Sequence, residues 1–176
     1  YASGEILGGQ YSKREGKPSD EAILTSRVID RTIRPLFSKH IKNPVQVIIT
    51  VLSVGDTDPG ILAVNAASLA LATSDIPWGG PVGAVHVSKT KNNGGLTIDY
   101  YVPNNGKTDA DNKYELDMTV CGRNGTINMI ETMAFEISEA EIGQAFDMAV
   151  LAITEIENWQ KKIVEEIGKP KMEIPK

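Results

Sequence analysis

The chain has 176 residues, of which 41% are hydrophobic and 23% charged, and it carries a formal net charge of -5 at pH 7. That length suits one domain with a substantial core and leaves too little for two full domains. The negative balance excludes a generally basic protein that coats nucleic acid, but it permits a focused basic patch, because fields act over a Debye length.

Cys121 is the only cysteine, which rules out an internal disulfide and fits a reducing, cytoplasmic compartment. No apolar run approaches the roughly 20 residues of a membrane-spanning helix, so no membrane partner is expected. The opening YASGEILGG has neither a basic nor an apolar signal region and no initiating Met. It is expected to be the middle of a longer protein.

In chain order, residues 8–20 read as loop: Gly8, Gly9 and Gly16 punctuate it, and Pro18 disfavours helix just before itself. Ser19 is a suitable N-cap, Asp20 and Glu21 favour a helix N-terminus, and Ile23, Leu24, Val28, Ile29 and Ile33 form an apolar stripe. A helix is therefore predicted over 20–33, stopped by Pro35. The run VQVIITVLSV (45–54) is β-branched and almost wholly apolar, which predicts a strand buried on both faces in mid-sheet.

Asp56–Gly60 reads as a turn. Residues 61–73 read as a helix of small side chains, central and buried. Residues 76–83 form a Pro/Gly loop around Trp78, whose ring is expected to be buried. Strands are predicted at 83–88 and 96–102 around a hairpin tip at 89–95, then at 114–121 and 127–131, with a polar segment at 103–113. Ser138 caps a long helix over 139–167, and 169–176 reads as the start of a linker. The order predicts an α+β or α/β domain, with helices packed on a mixed sheet.

The candidate functional residues cluster early. Arg27, Arg31 and Arg34 recur at i, i+4 and i+7, along one side of the predicted helix. Lys13, Arg14 and Lys17 precede them in the loop. Guanidinium forks match phosphate oxygens, and Tyr11 offers a ring on which a base could stack for roughly 1–3 kcal/mol. The competing reading is that Asp30 and Asp20 neutralise these arginines in surface pairs worth about 0–1 kcal/mol each. His86 is expected to be satisfied in packing, His40 to lie at the surface or to make a weak phosphate contact, and Cys121 to pack as a small hydrophobe at a strand end.

The words KREGKPSDEAILTSRVIDRTIRPLF (13–37), NPVQVIITVLSV (43–54), DPGILAVNAASLALATSDIPWGGPVGAVHV (58–87) and ELDMTVCG (115–122) resemble the first ribonuclease PH-type core of the bacterial polynucleotide phosphorylase family. The resemblance extends over nearly the whole chain. It implies an α+β ribonuclease PH-like core over 1–168 that lacks its N-terminal strands, with a linker starting at 169. It also implies a homotrimeric ring admitting single-stranded RNA, and phosphorolysis of the RNA 3′ end by inorganic phosphate with release of nucleoside diphosphates. A second ribonuclease PH-like core and Mg²⁺ are implied for the parent protein.

The family's aromatic-aromatic-Arg-Arg loop falls on Tyr11, Ser12, Lys13 and Arg14, so one ring is lost and the charge is kept. Arg27, Arg31 and Arg34 fall on positions near the RNA path. The catalytic set belongs to the second core. Here the matching turn, Asp58–Ile61, lacks its serine. Asp111 and Asp117 fall near the two aspartates, and Thr119 stands where the lysine would be. No catalytic or metal-binding residue is therefore expected in this chain. Asp117 is expected to be a strand-end or interface residue. The chain then either serves RNA guidance in a phosphorolytic 3′-to-5′ exoribonuclease or acts as a non-catalytic scaffold of an exosome-like ring.

Overall fold

A computed structural model describes residues 20–53, 57–91, 93–100, 102–103 and 114–173. Three helices are formed: α1 (Asp20–Ile33), α2 (Gly60–Thr73) and α3 (Glu139–Ile167). A 3₁₀ turn, Arg34–Leu36, follows α1 where Pro35 cannot continue the α-helical hydrogen bonding. The strands are β1 (Thr57–Asp58), β2 (Gly83–Thr90), β3 (Asn93–Asp99), β4 (Val102–Pro103), β5 (Tyr114–Arg123) and β6 (Thr126–Ala134).

β3, β2, β5 and β6 form, in that order, a sheet in which every neighbouring pair is antiparallel; β1 and β4 form a separate short pair. The α+β class expected from the sequence is met, with the sheet antiparallel rather than mixed among the described residues. Short hairpins join β2 to β3 and β5 to β6, and such turns make antiparallel neighbours, since parallel ones need long crossovers.

Strand alternation divides the core in two. On one face Val85, Val87, Leu116, Met118 and Val120 pack against Ala145, Ala149, Ala152 and Ile153 of α3. On the other, Ala84, Cys121 and Met129 join Ile29 and Ile33 of α1 and Ile61, Val64, Ala67 and Leu71 of α2. The small residues of α2 let it lie close to the strands, as its composition predicts. α3 begins with a capping box in which Ser138 Oγ accepts from the Glu141 amide and the Glu141 carboxylate accepts from the Ser138 amide.

Beyond the sheet, α3 reaches α2 through a buried polar junction. Ser68 Oγ donates to Gln160 Oε1 at 2.7 Å, Gln160 Nε2 donates to the Val82 carbonyl at 2.7 Å, and the Val82 amide donates to Ser68 Oγ at 2.9 Å. Trp78 is buried as expected, and its indole N–H donates to the Ile33 carbonyl at 3.1 Å. Residues of the predicted linker lie along α2: the Lys169 amide donates to the Thr73 carbonyl and the Met172 amide to the Asp75 carbonyl. Lys171 Nζ donates to the carbonyls of Leu71, Ala72 and Ser74. A cation at the carbonyl end of a helix is electrostatically favoured.

The expectation for 45–54 is overturned. Residues 45–53 join no ladder, and Ile48 and Leu52 are 75% and 92% exposed; Val54 lies outside the described residues. β propensity expresses packing against neighbouring strands, and no described strand runs beside this segment to supply them. Smaller differences are positional. The first hairpin closes earlier than expected, through a register shift between Lys89 and Thr90, so β3 starts at Asn93 and ends at Asp99. β6 extends to Ala134, beyond the predicted 131, because an edge strand needs no apolar alternation to stay paired on its one side.

Candidate nucleic-acid interface

α1 is held by its buried side. Ile29, Thr32 and Ile33 are buried, and Asn128 Nδ2 of β6 donates to the Thr32 carbonyl at 3.1 Å. The periodicity of the helix then turns Arg27, Arg31 and Arg34 outward together, and all three are exposed.

Their local partners differ. Arg34 grips Asp30 through two nitrogens, Nε at 2.9 Å and Nη2 at 2.7 Å. Arg31 Nη2 lies 3.6 Å from Glu131 Oε2 of β6, with both side chains 56% exposed. Arg27 has no ion-pair partner among the described residues. Exposed pairs of this kind contribute about 0–1 kcal/mol, so a polyanion can exchange into them at little cost. The sequence foresaw Asp30 as a partner. It did not single out Glu131, which lies a hundred residues further on. The loop candidates Tyr11, Ser12, Lys13, Arg14 and Lys17 lie outside the described residues.

Of the two carboxylates considered for a metal, Asp117 is among the described residues. Asp117 corrects the expectation of a strand-end residue: it lies within β5, and its Oδ1 is 2.9 Å from His86 Nε2 on β2. Asp111 lies outside the described residues. Among those that are described, no three His, Cys, Asp or Glu side chains converge as a metal site. Asp117 is engaged by an imidazole, so the described residues do not fit Mg²⁺. Cys121 is buried in β5, and burial pushes its thiol up to about 11, which keeps it protonated and inert. His40 is exposed, as expected.

On the α3 face, Lys89 Nζ lies 2.7 Å from Glu141 Oε1 and 2.9 Å from Glu115 Oε2. Hydrogen bonds from Lys89 and then Ser138 hold the Glu141 carboxyl down to about 2, and those to Glu141 and Glu115 raise the Lys89 ammonium. These groups line a cleft of about 520 Å³ with Lys91, Phe135 and Glu136. With three glutamates against two lysines, the cleft has no preference for an anion. No helix among the described residues is long and apolar enough to cross a membrane.

Residues 1–77 match the model of the 3′ exoribonuclease family, domain 1. Over 175 residues, 99% of this chain, the sequence is 44% identical to a polyribonucleotide nucleotidyltransferase of Alkaliphilus oremlandii. It is 42% identical to that of Enterococcus faecalis and 45% identical to that of Pseudothermotoga lettingae, each over the same share of this chain. The chain spans about a quarter of the length of these curated relatives (24%, 24% and 23%). The resemblance drawn from the motif words holds across nearly the whole chain.

Proposed function

We propose that this chain, similar throughout to polyribonucleotide nucleotidyltransferases and matched in its first 77 residues to domain 1 of the 3′ exoribonuclease family, is the RNA-guiding core of a phosphorolytic 3′-to-5′ exoribonuclease. The observation that carries the reading is the outward face of α1, where Arg27, Arg31 and Arg34 stand together on a chain of net charge -5. A guanidinium row offers forked donors to successive phosphates without reading base identity, which suits an enzyme that must process any single strand.

In the parent protein, inorganic phosphate attacks the terminal phosphodiester and a nucleoside diphosphate leaves. A second ribonuclease PH-like core supplies the catalytic side chains and the Mg²⁺, and three copies close a ring in the cytoplasm around the RNA. The loop residues Tyr11, Ser12, Lys13 and Arg14 extend the path at its mouth, with the single ring of Tyr11 as a stacking platform.

The alternative is a scaffold core without turnover. It is favoured for this segment by the pairing of Asp117 with His86, which engages the carboxylate that a metal would need. The two readings separate experimentally. Arg27→Ala with Arg31→Ala in the parent protein should weaken single-stranded RNA binding and reduce the slope of log affinity against log salt by about 0.7 for each phosphate no longer neutralised. An unchanged slope removes these arginines from the RNA path. Phosphate-dependent release of nucleoside diphosphates, followed in the same protein, tells an active enzyme from a scaffold.

A further inference from the structure

Among the described residues, His86 carries the buried side-chain polar atom that lacks a hydrogen-bond partner. It sits in β2 at 1% exposure, directly opposite Asp99 of β3 and, on the other side, Thr119 of β5. Paired residues of antiparallel strands share a face, so the imidazole lies between two carboxylates. Nε2 is 2.9 Å from Asp117 Oδ1, and Nδ1 is 3.8 Å from Asp99 Oδ2. Nδ1 is buried and has no hydrogen-bond partner.

A neutral imidazole that donates from Nε2 to Asp117 leaves Nδ1 as a lone pair pointed toward a carboxylate, and neither atom can donate. Leaving a buried polar atom unmet costs free energy. An imidazolium removes the conflict, because both nitrogens then donate and each carboxylate accepts. We propose that His86 is a pH-sensitive clasp: its doubly protonated ring ties β3 through Asp99 and β5 through Asp117 to β2, and loss of the Nδ1 proton releases the β3 side.

The charged neighbours are accounted for on each packed element. Tyr114 of β5 lies near both carboxylates, and burial, then the charges of Asp117 and Asp99, raise its phenol, which leaves it uncharged in the imidazole range. On β6, Glu131 stands opposite Thr119 and is paired with Arg31 of α1. Lys89, three residues along β2, faces α3 with Glu115 and Glu141. Among the described residues, the two aspartates are thus the charged groups that face the imidazole nitrogens.

The sign follows from the geometry. Between pH 5 and 8 carboxylates are ionised and histidine is the side chain that changes charge. Acid, which adds the second ring proton, closes the clasp, and alkali, which removes it, opens the β3 side. The device tunes the β2–β3 hairpin and is independent of the RNA reading, since it needs no ligand.

The test is amide hydrogen exchange in the 176-residue chain at pH 5.5 and 8.5, corrected for intrinsic rates, comparing β3 with the centre of α3. The expected result is a roughly ten-fold fall in β3 protection relative to α3 at pH 8.5, the order of one unmet buried group. Asp99→Asn should abolish the difference, because its amide can donate to a neutral Nδ1. The ¹⁵N shifts of the His86 ring in the unsubstituted chain give a second readout that needs no variant: both nitrogens protonated at pH 5.5, and Nδ1 alone deprotonated at pH 8.5. A ring that keeps one neutral tautomer across this range, β3 protection that does not change with pH, or an Asp99→Asn protein that keeps the full pH effect overturns the clasp.

Discussion

The two faces of the sheet are built from the same strands by the same alternation, yet they differ in kind. Toward α3, β2 and β5 present Val85, Val87, Leu116, Met118 and Val120, all at 0% exposure. The opposite face starts apolar under α2, with Ala84 and Cys121, then turns polar with His86, Ser88, Thr97, Asp99, Asp117 and Thr119. The first face gains from removing carbon from water and is indifferent to charge. The second depends on each donor finding an acceptor. Apolar packing and hydrogen bonding are thus separated by one residue's step along a strand.

Substitutions on the α3 face should break the comparison most visibly. Met118→Ala is expected to lower unfolding free energy by about 2–5 kcal/mol, read as a fall in the urea midpoint at unchanged slope. A loss below about 1 kcal/mol would mean that α3 collapses onto the strands, and the apolar face would then be less rigid than its packing indicates. At the polar junction between α2 and α3, Ser68→Ala takes an acceptor from the Val82 amide and a donor from Gln160, at an expected cost of about 1–3 kcal/mol. Equal tolerance of alanine there would remove the distinction between the two kinds of burial.

Ser138→Ala should cost about 1 kcal/mol, through the lost N-cap of α3. The gentlest probe is acid. The folded Glu141 carboxyl is held at about 2, below its ordinary 4.5, so its contribution is full above that ordinary value and is lost as pH falls from there toward 2. Glu141→Gln should flatten this part of the stability–pH curve. Curves that superimpose would show that the Lys89 bridge is not coupled to folding.

The helices were legible because their signals are local. The stripe and caps of α1 and α3 predicted 20–33 and 139–167, the observed bounds, and the start of α2 differed by one residue. The segment at 45–54 was misread for the opposite reason: its composition fits a strand, but a strand exists only with a neighbour, and pairing is not written in one segment. The site divides likewise. The outward arginines follow from helical spacing, whereas Glu131 beside Arg31 and Asp117 beside His86 meet only once β5 is laid between β2 and β6. The junction of Ser68, Gln160 and Val82 joins residues 92 apart, and no pattern in the sequence marks it.

The irregularity between Cys121 and Gly122 gives β6 something like a reading frame. Gly122 pairs with Ile127 while Cys121 pairs with Met129, so Asn128 is the supernumerary residue, and its side chain turns aside to hold α1. Ile127 therefore serves the α3 core and Met129 the α2 core, although they are two positions apart. A side chain at Gly122 would collide with the Thr126 carbonyl, which protects the irregularity. Deleting Asn128 would restore plain alternation and leave Glu131 opposite Thr119, but it would take from α1 the hydrogen bond that Asn128 gives to the Thr32 carbonyl. Along this strand, the extra residue serves the helix rather than the ladder.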